Sequence, residues 1–167
     1  MLETRHLSVA AAQALLFAPN LFSDEETEEI RCAIREKAAI PIEEWLKPYH
    51  KDPSLPHNNW VISELTGLFF AAAALDDLAL AQKYLALFNA LHSDCNSDFY
   101  GEPAGYWSYA CDSFLKIHFL LDWVFPQLHG EITEPSLLLN PFMWKYYRRQ
   151  GQFLLQNFDQ YRMRALT

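Results

Sequence analysis

With 167 residues, 51% of them hydrophobic and 15% aromatic, and only five glycines, the chain has the length and composition to bury one sizeable core, which excludes a disordered, collagen-like or coiled-coil chain. Thirteen Lys and Arg against 21 Asp and Glu leave a formal charge of −8, which argues against nucleic acid or an anionic membrane surface as a general partner. No apolar run reaches the roughly 18–20 residues that a bilayer span requires, Asp76, Asp77 and Asp122 interrupting the longest, so a soluble chain is expected.

Helical periodicity dominates, with no convincing apolar/polar alternation, and the expected fold class is all-α: one helical domain over residues 1–167. A first helix is predicted from about Leu7 to Phe17. Its stretch Ser8 to Ala18 is apolar enough to resemble a signal-peptide core, but Gln13 and the lack of a clear cleavage site favour a helix of the mature chain, leaving cytoplasm and periplasm both open. A second helix begins at Ser23, where Ser23 and Glu26 form an S-x-x-E capping box, and Arg31, Arg35 and Lys37 follow in the order that suits the helix dipole. Pro41 is expected to end it, followed by a short amphipathic piece around Trp45 and a polar loop from Lys47 to Pro56.

A third helix is predicted from about Asn59 to Leu75, its Ala71 to Ala74 run giving a smooth surface for a close neighbour. The fourth, about Leu78 to Leu91, carries Leu80, Tyr84, Leu87, Phe88 and Leu91 on one stripe. Ser93 to Gly105 reads as a loop. The fifth helix, about Tyr106 to Phe125, is apolar around most of its circumference and is expected to be covered by other helices. A sixth helical region, about Pro135 to Phe158, is interrupted near Asn140-Pro141 and at Gly151, and holds the basic cluster Lys145, Arg148 and Arg149. The predicted plan is antiparallel helix pairs forming part of a helical toroid.

Cys32, Cys95 and Cys111 are odd in number and lack CxxC spacing, which points to reduced, structural thiols. His92, His118 and His129 lack ligand spacing, so no metal or other cofactor is expected, and Ser-His-Asp or Cys-His catalysis has no local signature. Polar and aromatic residues crowd two helix starts: Pro56-His57-Asn58-Asn59-Trp60, and Glu102 through Tyr106-Trp107-Ser108-Tyr109. Free backbone N–H groups and the positive end of the dipole make either start suited to a carboxylate or sulfate.

Those residues carry a resemblance. Asn58-Asn59-Trp60 leading through Gly67 to Ala74, then Glu102-x-x-Gly105-Tyr106-Trp107-x-Tyr109, is similar to the N-terminal helical domain of the heparinase II/III-like polysaccharide lyases, over about Trp45 to the C-terminus. The resemblance implies an incomplete (α/α) toroid, followed in that family by a β-sandwich region, and cleavage of uronic-acid polysaccharides, glycosaminoglycans among them, by β-elimination. It implies that Asn59, or Asn58, neutralises the uronate carboxylate and that Tyr109 or Tyr106 transfers a proton, with His57 as a further candidate where Trp60 stands in a place that some members give to His. Trp60, Glu102, Trp107, Arg148 and Arg149 become candidate contacts to an acidic polysaccharide. The sandwich region is not among the 167 residues, so the expectation is a fragment or truncated form, inactive or weakly active until a second domain or partner chain completes it.

Plainer roles stand beside these. Asn58 and Asn59 suit N-caps, the aromatic residues suit packing, His57 a solvated loop, and Lys145, Arg148 and Arg149 a solvated face. Two other readings are a noncatalytic helical interaction module presenting Trp107, Trp144 and Tyr147, and a glycan hydrolase pairing Glu102 with Asp98 or Asp112.

Overall fold

The computed structural model describes residues 2–52, 59–93 and 104–131. In chain order these form α1 (Leu2–Phe17), a 3-10 turn (Pro19–Leu21), α2 (Asp24–Ile34), a π turn (Arg35–Ala39), α3 (Ile40–Lys51), α4 (Asn59–Leu75), α5 (Leu78–Ser93), α6 (Ala104–Trp123) and a 3-10 segment (Pro126–Glu131). The fold is all-α: among the described residues there is no strand. Among them, too, no helix is long and apolar enough to cross a membrane. The sixth helical region, with Lys145, Arg148 and Arg149, lies outside the described residues.

Helix α4 is the axis of the domain. Every residue in it except Trp60 and Leu75 is buried, and a helix buried all round needs neighbours on every side. α1 lies along the face that includes Gly67, where a Cβ atom would stand 3.0 Å from Arg5 Cγ and 3.5 Å from Arg5 Cα. The approach is close because Gly67 and the following alanines present almost no side chain. On the opposite flank Phe69 meets Tyr84 and Phe88 of α5 edge-on, at ring distances of 6.4 and 6.3 Å.

The turn between α4 and α5 is tight because Asp76 adopts the left-handed conformation (φ 52°). The Asp77 N–H then reaches Ala72 O and the Asp76 N–H reaches Ala73 O, which satisfies two of the last carbonyls of α4. The Asp77 carboxylate accepts from the Leu80 N–H and starts α5. α5 therefore doubles back along α4.

Cross-helix contacts give the direction of the other elements. Arg5 bonds Ser63 and Ser8 bonds Gly67, so both numbers rise together and α1 runs alongside α4 in the same sense. At the far end of α1 the Phe17 ring stacks on Trp123 of α6 at 5.0 Å and tilts against Phe119 at 6.5 Å. Near its start, His6 feels the charge of Lys116. α6 is packed against α4 through the core residues Ile117, Leu120 and Leu121, so it runs in the same sense as α1 and α4. The first turns of these three helices point to one end of the domain and their last turns to the other.

Several boundaries differ from the sequence reading. α1 begins at Leu2 rather than near Leu7, because Arg5 and Ser8 are tied to α4. Pro41 does not end the second helix. The Ile40 N–H bonds Arg35 O across a π turn, and that local change of register carries the chain past the ring, so Pro41 becomes an early residue of α3. The predicted loop from Lys47 is helical to Lys51, with the Asp52 N–H closing on Pro48 O at 2.9 Å. The capping box forms as read: the Glu26 N–H donates to Ser23 Oγ and the Ser23 N–H to Glu26 Oε2. α6 is not covered all round, since Leu115, Phe119 and Trp123 are 61%, 49% and 50% exposed at four-residue steps.

Candidate functional site

The end of the domain where α1, α4 and α6 begin gathers polar groups that an apolar core would not require. Arg5 is seated by three neighbours. Its Cγ fills the notch that Gly67 leaves, its Nη1 donates to Ser63 Oγ at 2.5 Å, and its Nη2 lies 2.9 Å from His6 Nε2 and 3.0 Å from Nδ1. The side chain thus runs down α4 from Gly67 to Ser63, toward the start of that helix. Ser8 Oγ donates to Gly67 O at 3.2 Å one turn farther along α1.

Glu64, beside Ser63, is fully buried, and neither carboxylate oxygen has a hydrogen-bond partner. Burial pushes its carboxyl above the usual carboxylate range, and the Arg5 charge pulls it back only in part. Partial burial first, then the charges of Arg5 and Lys116, lower the His6 pKa, which favours the neutral imidazole beside the guanidinium.

Asn59 opens α4 one turn before Ser63 on the same face, and its side chain is only 8% exposed. Trp60, next to it, is 44% exposed. Tyr106, Trp107 and Tyr109 belong to the first two turns of α6, which point to this same end, and their side chains lie outside the described residues. His57, Asn58, Glu102, Arg148 and Arg149 also lie outside the described residues, as do Asp98, Trp144 and Tyr147.

Arg5, His6, Ser63 and Glu64 have no place in the sequence-derived site. Only an acidic residue in the otherwise uncharged, largely apolar stretch Asn59 to Leu75 signals the cluster in advance. Other groups contribute no chemistry. Asp112 forms an exposed ion pair with Lys116 at 2.6 Å, unsuited to a hydrolase acid. Cys32 is an exposed free thiol rather than a structural one, and the charge of Glu36 raises its pKa, away from a reactive thiolate. A cleft of about 310 Å³ between α1 and α2 is lined mainly by apolar side chains such as Leu7, Ala11 and Ile34. Among the described residues no group of three or more His, Cys, Asp and Glu side chains is placed to hold a metal ion.

Compared with known proteins, the chain matches no family model, no curated protein and no solved structure.

Proposed function

We propose that the chain is a helical domain that binds uronic-acid-containing glycans and, when a second domain or partner chain completes it, cleaves them by β-elimination. Eliminating a 4-linked sugar requires removal of the C5 proton, stabilisation of the charge that builds on the C6 carboxylate, and protonation of the leaving O4. In this reading the Asn59 amide donates to the carboxylate as it becomes enolate-like, and the phenol of Tyr109 or Tyr106 moves the proton. A phenol near its ordinary pKa of about 10 is a weak base, and a neighbouring cation favours its ionised form.

One observation carries the reading: α4 and α6 are adjacent, packed together and run in the same sense, so Asn59 and the aromatic first turns of α6 belong to one end of the domain. The reversal of α5 against α4, with α6 running in the sense of α4, is the alternation of direction that antiparallel helix pairs of an (α/α) toroid require. The test is equilibrium binding of the full chain to polygalacturonate, alginate and hyaluronate, with the ultraviolet absorbance of an unsaturated uronate product followed in the same samples. Binding to at least one of them, weakened about tenfold or more in Asn59→Ala, is expected. No binding, or equal binding to uncharged polymers, contradicts the proposal.

The noncatalytic alternative is favoured by the exposed apolar stripe of Leu115, Phe119 and Trp123 with Phe17 stacked on it, at the other end of the three helices. A domain that failed every glycan test and lost a protein partner on Trp123→Ser would have that role instead.

A further inference from the structure

The seat of Arg5 calls for an explanation that packing does not supply. A guanidinium on a helix pressed against a glycine needs a long, apolar-lined path to reach polar partners, and a smaller apolar residue would fill the Gly67 notch without one. The side chain is instead led along α4 from Gly67 to Ser63, and the next residue on that face, about 5–6 Å farther between Cβ atoms, is Asn59. The hydrogen-bonding neighbours of the Arg5 guanidinium are a serine hydroxyl and a histidine ring rather than a carboxylate, although the buried Glu64 feels its charge.

We propose that Arg5 engages the carboxylate of the bound sugar beside Asn59 and is the residue that selects uronates over neutral sugars. This rests on the glycan reading above and adds to it a specificity-determining residue on α1. A planar guanidinium matches a carboxylate with paired N–H donors, a geometry that an amide or an ammonium does not reproduce. Ser63 and His6 fix its orientation before substrate arrives, which reduces the ordering cost of binding. Burial raises the pKa of the Glu64 carboxyl, which disfavours the carboxylate that would compete with a ligand for Arg5.

The test uses the full chain and whichever of polygalacturonate, alginate or hyaluronate the wild type binds, together with the carboxyl-reduced form of that polymer. Arg5→Gln is expected to weaken binding of the uronate polymer at least tenfold while binding of the reduced polymer is unchanged, and Arg5→Lys to recover part of the loss. Should Arg5→Gln fail to fold, Ser63→Ala releases the guanidinium while leaving its stem in place, and a severalfold loss confined to the uronate polymer is expected. Equal losses for both polymers, or wild-type affinity in the variants that fold, overturn the assignment. A wild type that binds none of the polymers defeats the glycan reading and this inference together, whereas weak binding in Asn59→Ala with normal binding in Arg5→Gln defeats only the role given to Arg5.

Discussion

The two ends of the α1, α4 and α6 group are built from opposite materials. At the end where these helices start, Arg5, Ser63 and Asn59 line one face of α4, and a buried carboxyl, Glu64, sits behind them without a partner. At the end where they finish, Phe17, Phe119 and Trp123 stack in the open, each about half exposed. Burying an unpartnered polar group works against stability, while stacked rings add to it even when half exposed. The first arrangement therefore calls for a functional explanation more strongly than the second, and the difference directs attention to the polar end.

Both ends depend on the core between them. Phe69 is fully buried and edge-on to Tyr84 and Phe88, so Phe69→Ala is expected to cost about 3–5 kcal/mol and to loosen the two ends together, as read by chemical denaturation. An effect confined to one end would show that the ends are independently stable. At the polar end, Ser8→Ala removes a buried hydroxyl bonded to Gly67 O and is expected to cost about 1 kcal/mol. At the aromatic end, Trp123→Ser removes a half-exposed ring that stacks on Phe17, and a loss of about 1 kcal/mol in the same assay is expected. No loss would remove the contrast drawn here, since the stacked rings would then add nothing to the fold.

Glu64 adds a pH signature that the aromatic end lacks. Its folded-state pKa is raised, so the folded protein holds this proton more tightly than the unfolded chain. The contribution is fully present below the unfolded carboxylate value of about 4.3 and is lost as pH rises through the folded one. Relative to Glu64→Gln, the wild type should therefore lose stability as pH rises above the ordinary carboxylate value of about 4.3. Parallel stability curves for the two proteins would show that Glu64 is ionised in the fold or that its environment is polar.

Much of the helical plan was legible in the sequence, and the reasons are local. Ser23 and Glu26 announce a helix start by chemistry contained within four residues, and the limits read for α4 and α5 follow from uninterrupted periodicity bounded by polar residues. Pro41 misleads because its usual effect is also local, whereas the π turn that accommodates it, with Ala38 and Ala39 buried, has no signature in the sequence around the ring. The polar cluster was not legible for a different reason. Arg5 and Ser63 are 58 residues apart, and a single Glu in an apolar helix does not reveal which neighbour it faces. The open side of α6 was hidden likewise, since composition shows that Leu115, Phe119 and Trp123 are apolar but not which of them a neighbouring helix covers.

The proposed site requires α4 and α6 to start at the same end of the domain. A direct measurement places spin-label pairs on the full chain with its native cysteines replaced by serine, one pair at Trp60→Cys and Ala104→Cys, the other at Trp60→Cys and Trp123→Cys. The 60–104 distance is expected to be the shorter by more than about 10 Å, given the rise of about 1.5 Å per residue along α6. A 60–104 distance equal to or longer than the 60–123 distance would put Asn59 and the α6 tyrosines at opposite ends and contradict the proposed site.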